Sequence, residues 1–242
     1  QAHKLYPTAK ILTLEKELIV GPQKRQEMMA KVSNGDWDMV IIAHSTFSRI
    51  AMDPIRETAF INEQLAEIEA AIRAEGADPD KSKRDDSLTV KELRKLLKRK
   101  RERLLKLADR VQDTAVTFEG LGVDALLVDE AHKYKRGDFF TKMGNIRGLD
   151  RSAAQQSFDF MMKVRYIQEK TGGKNVYLAT GSAVSNTIAE VWTHLRYTRP
   201  DLLREYGALQ FDGFASMFGD TRVTLEPTET GEYKMIERFN KY

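Results

Sequence analysis

Residues 123–135 read VDALLVDEAHKYK, and within them the apolar run Ala125-Leu126-Leu127-Val128 is followed at once by Asp129 and Glu130, with His132 two places on. An apolar run this short, flanked by Asp124 and Asp129, reads as a strand buried on both faces of a parallel sheet, with the acidic pair at its carboxyl end. Ligands of open parallel sheets bind there, because the loops leaving the strand tips line the crevice. A single carboxylate such as Asp129 suits a hydrated Mg²⁺, which keeps several waters and takes further ligands from nucleotide phosphates. Glu130 beside it can orient and deprotonate an attacking water. The plainer alternative is that the pair merely ends a strand and starts a solvated loop. Four specified residues, however, arise by chance in a chain this long in on the order of one sequence in a thousand.

Two further apolar runs end in hydroxyl-bearing tips. Residues 37–43 (WDMVIIA) lead into His44-Ser45-Thr46-Phe47, and residues 175–179 (NVYLA) lead into Thr180-Gly181-Ser182. The elements that must position these tips follow from local signals. Residues 9–14 (AKILTL) read as a first strand, Gly21-Pro22 opens a helix over 23–32, and Ser33-Asn34-Gly35-Asp36 stops it, so that a βαβ unit ends at the 37–43 strand. An amphipathic helix is expected over 153–169, with Thr171-Gly172-Gly173 as its stop. Ser185, Asn186 and Thr187 offer N-cap side chains, and Glu190 completes a capping box with Thr187 for a helix to Tyr197. Phe211, Phe214 and Phe218 are expected on the core.

Between residues 54 and 112 the texture changes to charged, helix-forming sequence without strand pattern. Ile61, Leu65, Ile68 and Ile72 form one apolar stripe. Val90, Leu97, Leu104 and Val111, with Leu93 and Leu107, form another at heptad spacing. The reading is an antiparallel helical hairpin that buries its own apolar seam and projects from the sheet domain, with residues 76–87 (GADPDKSKRDDS) as an exposed connection. Lys100 falls on the seam, either snorkelling outward or marking where the hairpin loosens. Residues 91–110 carry ten basic side chains against three acidic ones. The glutamates of the first helix can pair with part of that run; the residual basic stripe, with Arg99, Arg101 and Arg103, is placed to hold DNA. A protein partner for the arm stays open.

The chain has 242 residues, 41% hydrophobic and 31% charged, enough for one sizeable core with an appendage. No apolar run approaches a membrane span and no signal-peptide pattern is present, so a soluble, cytoplasmic protein without membrane contact is expected. Zero cysteines excludes disulfides, zinc-thiolate sites and thiol nucleophiles. His3, His44, His132 and His194 lack metal-ligand spacing. The net charge of +3 is too small by itself to announce a nucleic-acid binder.

These motifs together resemble the first RecA-like lobe of superfamily 2 helicases and translocases of the Swi/Snf-like type. Residues 6–12 resemble the strand near motif Ia, 41–47 motif Ib, Asp129 to His132 the motif II or DEAH box, and 178–186 (LATGSAVSN) motif III. Residues 190–203 resemble the segment that follows motif III. More narrowly, VTFEGLGVD before the box, with TGG and ATGSAVSN after it, resembles the helicase part of the large helicase-methylase proteins of phages and mobile elements. The resemblance implies an α/β fold: a RecA-like lobe (1–53 and 113–242) with a parallel sheet flanked by helices, and an inserted antiparallel helical hairpin (54–112). It implies a fragment of an ATP-dependent DNA helicase or translocase, using ATP and Mg²⁺ in the intact parent, with double-stranded DNA and a second RecA-like lobe as partners. By position Asp129 is the metal-associated carboxylate, Glu130 the catalytic base and His132 the residue that couples nucleotide to motif III. Thr180, Gly181 and Ser182 transmit the state of the box, and Ser45 and Thr46 face the DNA backbone.

Two departures stand out. Ala183 follows Ser182 where the family usually has proline, which loses a fixed φ. No Gly-x-x-x-x-Gly-Lys-Ser/Thr occurs, so the phosphate-cradling loop and its lysine are missing. The expected parent is therefore longer, divided after motif I and before lobe two. The rival reading is a non-catalytic RecA-like scaffold whose arm docks another protein. A methyltransferase domain is disfavoured, since no Gly-rich cofactor loop with a following acidic strand end is visible. From the missing phosphate loop, the chain by itself is expected neither to bind ATP tightly nor to hydrolyse it. A purified preparation whose DNA-stimulated turnover disappears on Glu130→Gln would overturn this.

Overall fold

The computed structural model describes residues 2–14, 22–76, 88–108, 116–137, 139, 141, 155–185, 187–227 and 233–239. A single turn, α1 (Ala2–Leu5), precedes β1 (Ile11–Leu14); α2 (Pro22–Asn34) then crosses to β2 (Met39–Ile42). The two strands pair in parallel, Ile11 opposite Met39 through Leu14 opposite Ile42, as the βαβ reading requires. Gly35 after α2 has no room for a side chain, because a Cβ there would lie 2.0 Å from Trp37 Nε1. That indole is held by a 3.0 Å bond to the Lys31 carbonyl, and the chain turns tightly around it.

The strand tip continues into α3 (His44–Phe47), and α4 (Pro54–Gly76) and α5 (Leu88–Ala108) follow. Arg103, late in α5, bonds Glu57, early in α4, at 2.7 Å, so the two helices run antiparallel. The expected connection over 77–87 lies outside the described residues, as do the side chains of Val90 and Leu107 and all of Val111.

The expectation that this arm buries its own seam alone is corrected by the packing of α6 (Gln155–Thr171). Phe60, Ile61 and Leu65 of α4 belong to the same core cluster as Leu12, Leu126 and Phe160. Phe158 meets Phe60 edge to face at 5.2 Å, and the charged ends of Lys100 and Arg103 lie over the Phe158 ring, 4.3 and 3.7 Å from its centroid. Lys100 therefore points inward, its ammonium drawn to the negative face of an aromatic ring, and neither snorkels nor loosens the hairpin.

After a short 3-10 turn (Glu119–Leu121), β3 (Leu126–Val128) pairs in parallel with β4 (Val176–Leu178). The expectation that β3 is buried on both faces is corrected here. Leu126 is buried, but Leu127 is 73% exposed, and its register partner Tyr177 is 59% exposed, so one face of this sheet is open. An unbroken apolar run carries no periodicity to tell a covered face from a bare one. Gly172 and Gly173, at φ +67° and +82°, end α6 as the glycine pair predicts.

The chain finishes with α7 (Ile188–Thr198), α8 (Pro200–Glu205), α9 (Phe211–Phe218) and an antiparallel pair, β5 (Thr221–Pro227) with β6 (Tyr233–Phe239). Phe211 and Phe214 build a second, smaller core with Trp192, Leu203 and Phe139, whereas Phe218 is exposed. The whole is a mixed helix-and-strand fold with small parallel sheets. No helix among the described residues is long and apolar enough to cross a membrane.

Because α4 shares the main core, replacing residues 54–112 by a short linker is expected to abolish the cooperative thermal transition. Phe158→Ala, which leaves the arm in place but empties the contact, is expected to cost about 3 to 5 kcal/mol in urea unfolding. A linker variant that melts as sharply as the whole chain would show the arm to be independent.

Candidate active site

β3 and β4 bring the acidic box and the Thr180 turn side by side, and the hydrogen-bond ladder runs past the ends of both strands. Ala179 N–H donates to Val128 O at 2.8 Å, and Ala131 N–H returns to Ala179 O at 3.0 Å. Ala131 is completely buried, so the third position of the box has room for a methyl group and little more. Between these bonds Glu130 adopts a left-handed backbone, φ 51° and ψ 42°. That conformation costs a non-glycine residue on the order of 1 kcal/mol, offset here by the flanking bonds. Glu130 N–H also donates to Asp129 Oδ1 at 2.8 Å.

The turn throws Glu130 off the strand line and against His132, whose Nδ1 lies 3.1 Å from Glu130 Oε2 and 3.3 Å from Thr180 Oγ1. Thr180 Oγ1 in turn accepts from Ser182 N–H at 3.2 Å. Asp129, Glu130, Gly181 and Ser182 are exposed, while His132 and Thr180 are half-buried. The structure thus joins Glu130, His132, Thr180 and Ser182 in one bonded series, with Asp129 at its open end. Open space surrounds Gly181, so contact does not dictate glycine there.

Three features of the site escape a reading of the sequence. His44, at the tip of β2, places Nδ1 2.8 Å from the Tyr134 hydroxyl, with ring centroids 5.4 Å apart. Burial, and then the charge of Lys133, hold its pKa below the ordinary imidazole value, opposed by a bond to the Asp129 backbone. Lys135 Nζ reaches Glu190 Oε1 at 3.1 Å and also contacts Ser185 Oγ. Glu190 Oε2 accepts from Ser185 N–H at 2.6 Å. The expected capping box is therefore absent: Thr187 makes no side-chain cap bond, and Glu190 instead clamps the turn after the box to the loop after β4. His194 lies beneath that loop, half-buried and pushed below its usual pKa by burial; its Nε2 finds no partner among the described residues. The spacing of Glu190 does carry a signal, but a carboxylate three residues past a threonine reads equally well as a cap.

The proposed DNA-facing residues separate. Ser45 is exposed, whereas Thr46 is 6% exposed, so of the two hydroxyls only that of Ser45 is presented. Arg99 is exposed on α5. Arg101 pairs with Glu69 at 2.9 Å. Arg103 is engaged within the chain: it bonds Glu57 at 2.7 Å and Gln155 at 2.7 Å and covers Phe158.

Among the described residues no group of three or more histidines, cysteines, aspartates or glutamates converges on a metal position. A single exposed carboxylate, Asp129, fits Mg²⁺ held chiefly by water and phosphate rather than by a protein cage. The large cleft of about 960 Å³ lies elsewhere, between the arm and α6 to α9, with Glu63, Glu67, Arg165, Trp192 and Arg196 in its walls. None of its lining residues comes from the strand tips, so its volume and the chemistry are separate.

The family described as "Probable helicase domain" matches the chain over residues 1–242. Over 118 residues, 48% of this chain, the sequence is 30% identical to "Defense against restriction protein B" of Escherichia phage P1, and the match spans 5% of that protein's length. No solved structure gives a significant match.

Glu190→Ala is expected to cost about 3 kcal/mol in urea unfolding, since it strands a largely buried Lys135, and Thr187→Ala no more than about 1 kcal/mol. Equal losses would return Glu190 to a capping role.

Proposed function

Because the chain belongs to the probable helicase domain family, matched from end to end, we propose that it is most of the first motor lobe of an ATP- and Mg²⁺-dependent DNA helicase or translocase. The observation that carries this reading is the bonded series from Glu130 through His132 to Thr180 and Ser182 at adjacent parallel strand tips. A scaffold has no need to hold a glutamate in a left-handed turn beside a histidine. Bound ATP would supply the phosphoryl group and Mg²⁺ the charge neutralisation, and this chain's residues would do the rest.

In this reading Asp129 would be the carboxylate that holds Mg²⁺. Glu130, exposed and fixed by its turn, accepts a proton from the attacking water. His132 shares one ring nitrogen between Glu130 and Thr180, so a change in the carboxylate's hydrogen bonding alters the pull on Thr180 and, through it, on the Ser182 amide. The phosphate-cradling loop and the arginine of a second lobe would come from outside this sequence. Ser45 and the exposed Arg94, Lys95, Lys98 and Arg99 of α5 would contact the phosphate backbone of double-stranded DNA.

Weak, sequence-independent DNA binding that falls steeply with salt is expected of this chain. Reversing Lys95, Lys98 and Arg99 to glutamate should lower the salt slope by about one unit for each phosphate that is no longer neutralised. Arg103→Glu should instead lower stability. In a longer polypeptide that adds a phosphate loop and a second lobe, Glu130→Gln is expected to reduce turnover by about 10²- to 10⁴-fold with the fold unchanged. DNA binding indifferent to the α5 reversals, together with turnover indifferent to Glu130, would reject the motor reading.

A further inference from the structure

Lys163 is completely buried in α6, its ammonium near the rings of Phe47 and Phe118. Burying an ammonium costs several kcal/mol even when it is paired, and a methionine would fill the same space against the rings without that cost. What distinguishes the lysine is where its donors go. Nζ donates to the backbone carbonyl of Phe47 at 2.7 Å and to Asp159 Oδ2 at 2.6 Å, and it sits 4.5 Å from the centroid of the Phe47 ring. One side chain thus grips both the carbonyl and the ring of the residue that ends α3.

α3 has only four residues, so its terminal carbonyls take their partners from outside the helix. Among the described residues Phe47 O otherwise accepts a long bond, 3.2 Å, from Ile50 N–H. The far side of the interaction is firm: Phe160, Val164 and Ile167 on α6 are fully buried. Phe158, the neighbour of Asp159 on α6, lies under the charged ends of Lys100 and Arg103 at the root of the arm. α6 thereby connects the arm's root to the tip of β2, two residues from the exposed Ser45.

We infer that Lys163 is a positioning residue that fixes the tip of β2 so that Ser45 meets a phosphodiester backbone. This rests on the motor-lobe reading. It touches no substrate itself and acts through Phe47.

The test compares the chain with Lys163→Met and with the double variant Asp159→Asn/Lys163→Met. The double variant removes both buried charges with side chains of nearly the same size, so it is expected to fold even where the single variant leaves Asp159 stranded. Amide hydrogen exchange reports on the tip, and binding to a double-stranded oligonucleotide across a salt series reports on function. In the double variant the amides of residues 46–50 are expected to exchange at least about tenfold faster relative to those of Val164 and Ile167. DNA affinity is expected to fall about fivefold with the salt slope unchanged, because the number of neutralised phosphates stays the same. Tip amides that speed up no more than those of α6 would overturn the inference, as would a loosened tip with unaltered DNA affinity. If the unsubstituted chain itself fails to bind DNA, the motor-lobe reading falls for this chain, and the exchange data alone then decide whether Lys163 holds the tip.

Discussion

Tyr134, two residues beyond His132, is the point on which the strand tips depend. It is 1% exposed, and each part of it is committed to a different element. Its ring stacks on Phe160 of α6 at 4.0 Å, its hydroxyl meets His44 of α3, and its carbonyl accepts from Tyr197 of α7 at 2.9 Å. The β1–β2 and β3–β4 pairs belong to different sheets, with no ladder between them among the described residues. Side-chain packing therefore takes over the work that backbone bonds do within each pair. Burial raises the pKa of both tyrosines above the phenolic norm, so these two hydroxyls stay protonated across the working range.

A second constraint is that charge has been taken inside. Lys163 and Asp159 share a pocket under α3, burial pushing the lysine down and the aspartate up from their usual values. Arg103 and Glu57 close the root of the arm with side chains 22% and 8% exposed. Interactions of this kind add little net stability over apolar packing, but they are directional, and an antiparallel helix pair needs direction more than it needs additional apolar area. Glu67, raised above the ordinary carboxyl range by burial and by Glu63, lines the cleft between the arm and α6 to α9.

What can be read from the sequence divides along physical lines. The β1–α2–β2 crossover is legible because period, turn residues and length all agree, and the acidic box is legible because four residue types at fixed spacing carry their own chemistry. The pairing of His132 with Thr180 follows from the resemblance. His44 does not emerge, since its significance lies in a contact with a residue 90 positions away. Lys163 hides for a different reason: a lysine in an amphipathic helix reads as solvent-facing, and nothing local reveals a carbonyl waiting for it. Arg103 reads as a free charge because composition cannot assign partners. The β5–β6 hairpin is readable in principle. Val223 and Leu225 alternate with polar residues, as do Tyr233 and Met235, but the three phenylalanines just before them are the louder apolar signal.

The left-handed turn at Glu130 bears on how such a sequence drifts over generations. Glycine, or asparagine, would sit in that conformation more comfortably than glutamate does, so in the motor-lobe reading thermal stability and hydrolysis would pull toward different residues at this one position. A lineage that kept the fold but abandoned ATP would feel only the first pull, and its chains would move toward glycine or asparagine there. In the motor-lobe reading, a chain that carries glutamate in so unwelcoming a backbone would hold it for its carboxylate and not for its stability.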